Sequence, residues 1–206
     1  MNVLLINGSS KKNGCTYTAL AEVAGQLNEQ GIETNIFHIG NKPIQECIAC
    51  RKCVQTGYCV FDSDSVNECI DLARSADGII VGSPVYYAGP TGAICAFLDR
   101  MFYLKNAPYA YKPGAAIVSC RRGGASAAFD RLNKYFTISS MPIVSSQYWN
   151  SVHGNTPEEV KQDLEGMQTM RTLGRNMAWL LRCIEAGKKS VGYPEKEEPQ
   201  RTNFIR

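Results

Sequence analysis

A short aliphatic run, Val3-Leu4-Leu5-Ile6, leads directly into the loop Gly8-Ser9-Ser10-Lys11-Lys12-Asn13-Gly14-Cys15-Thr16 and then into a helical pattern. Such an unbroken run suits a strand buried on both faces of a parallel sheet. After Thr16, apolar residues recur at helical spacing as Leu20, Val23, Ala24 and Leu27. The loop therefore delivers hydroxyls and free backbone N–H groups to a helix N-terminus, which attracts anions. The residue two after Gly8 is Ser10, so the dinucleotide fingerprint G-x-G-x-x-G is absent. Gly14 is followed by Cys15 and Thr16 rather than by Lys and a hydroxyl residue, which removes the triphosphate loop as well. What remains is a turn rich in Ser, Thr and Asn, suited to one terminal phosphate monoester. An ordinary strand-to-helix turn with Ser and Asn as caps is the alternative reading of the same residues.

The rest of the chain alternates strand and helix. Glu33–Ile39 reads as a second strand, Ser65–Ser75 as a short helix, and Gly78–Gly82 as a third strand ending in Ser83-Pro84-Val85-Tyr86-Tyr87. Thr91–Leu104 is helical, Ala115–Ser119 is a fourth strand, and Pro142-Ile143-Val144 opens a fifth. The capping signal Thr156-Pro157-Glu158-Glu159 starts one long last helix. Five strands alternating with helices predict an α/β fold, an open parallel sheet wound on both faces in the order 2-1-3-4-5. Ligands of such sheets bind at the carboxyl edge where the strand order switches, between strands 1 and 3.

That switch point makes neighbours of the loops after strands 1, 3 and 4. Pro84, Val85, Tyr86 and Tyr87 offer a stiff turn with apolar and aromatic faces. Gly89, Gly92, Gly123 and Gly124 let backbone groups approach a flat ring closely. A phosphate site beside such a pocket suits FMN. Ordinary loop packing explains the two tyrosines equally simply, Tyr87 above all. Asn150 and His153, expected in the loop after strand 5, are more simply structural than ligand contacts.

Composition narrows the classes. At 206 residues with 44% hydrophobic content the chain suits one domain with a substantial core. The net charge of +3 comes with scattered Lys and Arg, so no nucleic-acid partner is expected. No apolar stretch approaches the ~18 residues of a membrane span, and the strand at the first residues leaves no room for a signal peptide. A cytoplasmic protein with no membrane partner is expected, its nine cysteines reduced, metal-bound or buried.

Four of those cysteines, Cys47, Cys50, Cys53 and Cys59, form C-x2-C-x2-C-x5-C in an insertion after strand 2. Thiolates this close in sequence can wrap one compact 4Fe-4S cubane. A zinc site usually takes two knuckles further apart, and a set of free thiols or adventitious disulfides is the third reading. Cys69, Cys95, Cys120 and Cys183 fall on predicted elements and are expected in the core.

The segments Asn2–Ser10, Val81–Tyr87, Gly89–Gly92 and Tyr148–Gly154 together resemble the NADPH-dependent FMN reductase family of the flavodoxin-like fold, and within it the iron-sulfur flavoproteins. The resemblance covers roughly residues 1–186. It implies FMN as cofactor, with Ser9, Ser10, Lys11, Asn13, Gly14, Cys15 and Thr16 at the phosphate. Pro84–Tyr87 would form the ring loop, and Ser119, Cys120, Arg121, Gly123 and Gly124 a second ring contact. Cys15 stands where the family more often has a small polar residue. The resemblance also implies NAD(P)H or ferredoxin as donor, a small molecule or protein as acceptor, and a homodimer or homotetramer whose interface completes the flavin site.

With two histidines, neither placed for a Ser-His-Asp arrangement, hydrolase chemistry is disfavoured. The leading reading is an FMN-dependent oxidoreductase with no catalytic side chain of its own. A flavodoxin-like single-electron carrier and a non-catalytic redox sensor are the alternatives. We expect residues 1–192 to form the FMN-binding domain, with the Cys-rich insertion at 43–62. The polar, Pro- and Glu-rich tail at 193–206 is expected to be ordered, Phe204 and Ile205 included, against a partner subunit.

Overall fold

The aliphatic run becomes β1 (Asn2–Asn7), paired on one side with β2 (Glu33–His38) and on the other with β3 (Gly78–Pro84). β4 (Gly114–Cys120) and β5 (Ser151–His153) complete an all-parallel sheet in the expected order 2-1-3-4-5. The computed structural model describes residues 1–104, 109–195, 197, 198, 200, 202 and 204. Its helices are α1 (Cys15–Glu29), α2 (Lys52–Thr56), α3 (Val66–Ser75), α4 (Gly92–Phe102), α5 (Ala125–Ile138), α6 (Pro157–Gln162) and α7 (Leu164–Ser190).

Because side chains alternate across a strand, each strand feeds two cores. Leu4, Ile6, Ile79, Val81 and Val118 pack with Ile70, Phe97, Leu132 and Phe136 of α3, α4 and α5. Val3, Leu5, Ile80 and Ile117 pack on the other face with Leu20, Leu27, Leu173 and Met177 of α1 and α7. Burying one such side chain fully stabilises the fold by about 1.5–3 kcal/mol. The carboxyl ends of β1, β3 and β4 are thus fixed by packing on both faces, and the loops that leave those ends start from a rigid edge.

Two expectations need correction. The fifth strand does not begin at Pro142: residues 142–144 make an isolated bridge to Gly114, through Gly114 N to Pro142 O at 2.9 Å and Val144 N to Gly114 O at 2.8 Å. The chain then leaves the sheet and rejoins it at Ser151. Asn150 bridges the gap, its side-chain amide donating to Ala116 O (3.0 Å) and its carbonyl accepting from Val118 N (3.0 Å). Asn150 is therefore a ladder substitute, not a ligand contact, and His153 closes β5 instead of lying beyond it.

The last helix is likewise broken in two. Thr156 caps α6 by accepting from Glu159 N at 3.2 Å, and the Glu159 carboxylate reaches back to Asn155 N at 2.6 Å. After six residues Asp163 interrupts it and caps α7 anew, accepting from Gly166 N (2.9 Å) and from His153 N (2.7 Å). One carboxylate thus ties the start of α7 to the end of β5.

No helix is long and apolar enough to cross a membrane among the described residues. Cys69 is buried as expected, but Cys95 is half-buried and Cys183 is exposed. In the tail, Tyr193 stacks on Tyr111 of the same chain, ring centroids 5.3 Å apart. Phe204 is exposed, and Ile205 lies outside the described residues.

Candidate functional site

The loop after β1 is built by its own side chains. Asn7, fully buried, donates to Lys12 O (3.0 Å) and accepts from Ser9 N (3.1 Å), so one amide spans the loop. Ser9 Oγ accepts from Lys11 N at 3.1 Å, and His38 at the end of β2 sets a ring nitrogen 2.7 Å from Ser9 O. Gly8 lies hard against β3 and α4: its N–H donates to Gly82 O (2.8 Å), and a Cβ there would meet Ile94 Cγ1 at 2.7 Å. The N-cap of α1 is Gly14, which has no side chain to satisfy the leading N–H groups of the helix. Those groups are left for a ligand or for water.

Two further loops face this one. After β3, Tyr86 and Gly89 exchange backbone hydrogen bonds of 2.8 and 2.9 Å, making a tight turn with Tyr87 and Ala88 at positive φ on its tip. Gly124 backs that turn, close to Ala88 and Val85. At the end of β4, Ser119 brings its hydroxyl 2.8 Å from that of Thr16, joining α1 to the strand. The three loops bound one cleft of about 500 Å³ at the carboxyl edge of the sheet.

Of the residues singled out from the sequence, Ser9, Lys11, Asn13, Gly14, Cys15, Thr16, Pro84, Val85, Tyr86, Ser119, Cys120 and Arg121 line this cleft. Ser10, Tyr87, Gly123 and Gly124 do not. Ser10 and Gly123 are exposed, and Tyr87 projects fully into solvent. A fourth wall, Gly154 to Pro157, was not anticipated. It is seated by Gly154 N donating to Cys120 O at 3.1 Å and by the Cys15 thiol 3.7 Å from Gly154 O. A Cβ at Gly154 would meet Val160 N at 2.8 Å, so only glycine lets α6 start this close to β4. Burial pushes the thiols of Cys15 and Cys120 up from their ordinary range, so both are protonated at neutral pH.

The four-cysteine insertion forms a second site. Cys47, Cys50, Cys53 and Cys59 line one small cavity of about 20 Å³ together with Phe61, Arg100 and Tyr103. Burial, and then the facing thiols of Cys59, Cys47 and Cys50, pushes the Cys53 thiol up. Among the described residues no three His, Cys, Asp or Glu side chains stand close enough to hold a single ion. The insertion also leaves the carboxyl edge. It runs down the outside of α3 and α4, held by Tyr58 Oη to Asp71 (2.7 Å) and by the Arg74 guanidinium to Gly57 O. Arg100 lies roughly two turns beyond the start of α4, and the thiol cavity that it lines shares no lining residue with the cleft.

Residues 1–156 match the NADPH-dependent FMN reductase family. The chain belongs to that family. An iron-sulfur flavoprotein of Methanocaldococcus jannaschii is 31% identical over 198 residues, covering 90% of this chain and all of that protein. The iron-sulfur flavoprotein of Methanosarcina thermophila is 28% identical over 193 residues, covering 91% and 99%. Among solved structures, an archaeal flavodoxin superposes with a TM-score of 0.61 at 14% identity, covering 88% of this chain and 99% of its own. The fold is flavodoxin-like, and as an NADPH-dependent FMN reductase family member the chain is an oxidoreductase.

Proposed function

We propose that the chain is an FMN-dependent oxidoreductase, drawing electrons from NAD(P)H or a ferredoxin and passing them on through a 4Fe-4S cluster in the Cys-rich insertion. The observation that carries this reading is the single cleft on which the loops after β1, β3 and β4 converge, with the uncapped start of α1 in its wall. Exposed N–H groups at a helix N-terminus, with Lys11 beside them, fit one phosphate monoester. Family membership and the iron-sulfur flavoprotein relatives support the same cofactors.

A bound FMN supplies the hydride-accepting ring, and a cluster supplies a one-electron site. The protein's part is position. Pro84, Val85 and Tyr86 offer one apolar wall for the ring, while the backbone of Ser119–Arg121 presents polar groups to its edge. Gly154–Pro157 forms the remaining wall of the cleft. No side chain in the cleft has to move a proton for hydride to pass.

The thiols suit a cluster better than one zinc ion. The spacing C-x2-C-x2-C-x5-C packs four thiols into one short segment, as a cubane takes them, whereas zinc usually takes two knuckles further apart. Cys47 and Cys50 are exposed, so a cluster can reach them from solvent. Because the thiol cavity and the cleft share no lining residue, we further propose that a thiol site serves the flavin of a neighbouring subunit in a homodimer or homotetramer.

Anaerobic addition of NADPH to the purified, FMN-loaded protein tests the enzyme reading. Bleaching of the flavin absorbance is the expected result. A flavin that dithionite reduces and neither NADH, NADPH nor reduced ferredoxin touches would mark a sensor. A flavin bleached only by reduced ferredoxin leaves turnover to decide: steady reduction of an acceptor marks the enzyme, and single-electron exchange without turnover marks a carrier.

A further inference from the structure

Arg100 is the one fully buried cation whose whole hydrogen-bonding capacity, among the described residues, is spent on the Cys-rich insertion. A guanidinium has five N–H donors. Nε donates to Cys59 Sγ at 3.1 Å. One terminal nitrogen donates to Gln45 O (3.1 Å) and to the Asp64 carboxylate, and the other to Phe61 O (3.1 Å) and to the second Asp64 oxygen (3.0 Å). Every donor has an acceptor, and every acceptor lies between residues 45 and 64. The bidentate fork to Asp64, itself almost wholly buried, fixes the plane of the guanidinium. Its Nε–H consequently has one direction to point, which is at the Cys59 sulfur.

Cys59 is held from its backbone side as well. Asn67, at the start of α3, accepts from Cys59 N (2.8 Å) and donates to Cys59 O (3.0 Å). The fourth cysteine of the motif is therefore clamped by two core helices, while Cys47 and Cys50 are exposed. A cation set edge-on to the Cys59 sulfur is not needed for packing, since an apolar side chain would fill the same space. It is what a sulfur carrying negative charge requires.

We propose that Arg100 is a positioning residue for the cluster: it orients Cys59 as the pre-set ligand and, through the Nε–H hydrogen bond to that sulfur, raises the cluster's reduction potential. The inference rests on the cluster reading above. Adding one electron increases the negative charge on the cluster and its sulfurs, and a hydrogen bond to a ligand sulfur stabilises that more negative state. Asp64 neutralises the guanidinium charge, so the effect comes from the directed donor and not from a net cation.

The test uses full-length protein purified and reconstituted anaerobically, with iron and sulfide per chain and the midpoint potential read by dithionite titration under electron paramagnetic resonance. Arg100→Lys keeps the cation but loses the fork and the Nε donor. A potential shifted to more negative values, with iron retained within about two-fold of wild type, is expected. An unchanged potential overturns the inference. Because a buried substitution can impair folding, wild type grown with isotopically labelled arginine gives a second readout. The reduced cluster is expected to show a magnetic coupling to an arginine nitrogen, and its absence overturns the assignment of Arg100 alone. Wild type that binds no iron even after reconstitution removes the cluster reading, and this inference with it.

Discussion

The hydroxyls of Thr16 and Ser119 lie 2.8 Å apart at the wall of the cleft, both side chains buried. This pair links the phosphate loop to β4, so the two sides of the proposed FMN site are mechanically one. Thr16→Val removes a hydroxyl and leaves Ser119 without its partner, and should weaken FMN binding by about 1–3 kcal/mol. Ser119→Ala should do less, and the double variant should fall short of the sum, because the two residues share one bond. Fluorescence titration of apoprotein with FMN measures all three. An unchanged dissociation constant in Thr16→Val removes that residue from the site.

Cys15 provides a probe of occupancy. Burial holds its thiol above the ordinary range, so the reactive thiolate is scarce at neutral pH and grows as pH rises. Peptide mass spectrometry after brief alkylation should find Cys15 labelled more slowly than exposed Cys183, faster at higher pH, and slower again once FMN is bound. Equal labelling with and without FMN would put the ligand elsewhere.

Gly8 is required by contact. A methyl group there meets Ile94 at 2.7 Å and Gly82 O at 2.9 Å, both deep in the core. Gly8→Ala should destabilise the protein by about 1–3 kcal/mol through overpacking and weaken FMN binding by displacing the loop. Chemical denaturation at an unchanged midpoint would contradict the packing account.

Much of this was legible in the sequence, for identifiable reasons. Val3–Ile6 and Gly78–Gly82 are buried on both faces, so their composition alone marks parallel strands, and strand order followed from alternation with helices. The broken fifth strand was hidden because Asn150 satisfies Ala116 O with a side chain, which no backbone pattern announces. The break before α7 turns on Asp163 serving as a cap to one helix and a partner to His153 N, a tertiary contact invisible to local propensity. Within the site, the first three loops were readable from their Ser, Thr, Gly and aromatic content. The wall at Gly154–Pro157 was not, because Asn155 and Thr156 read simply as the start of a helix. The path of the insertion down α4 is set by Arg100 and Arg74, whose partners are distant in sequence.

The tail bears on assembly. We propose that residues beyond Gly192 contribute to a subunit interface, and truncation there should move the protein to a smaller species in sedimentation velocity. The stack of Tyr193 on Tyr111 supplies the opposing outcome. An unchanged profile would mean that the tail is held by its own subunit.

The cluster reading has its own direct check in iron and sulfide analysis. Anaerobically purified wild type should hold a 4Fe-4S cluster, and Cys50→Ser should lose most of its iron. Equal, low iron in both proteins, with failed reconstitution, would turn the insertion into a structural loop.

The central claim is that the cleft at the carboxyl edge of β1, β3 and β4 holds FMN. Mass spectrometry of the ligand released from the purified protein, after incubation with an equal mixture of FMN and FAD, tests it most directly. The account predicts FMN at about one per chain, because the loop after β1 offers one phosphate site and lacks a dinucleotide fingerprint. Recovery of FAD, or of no flavin at all, would contradict it.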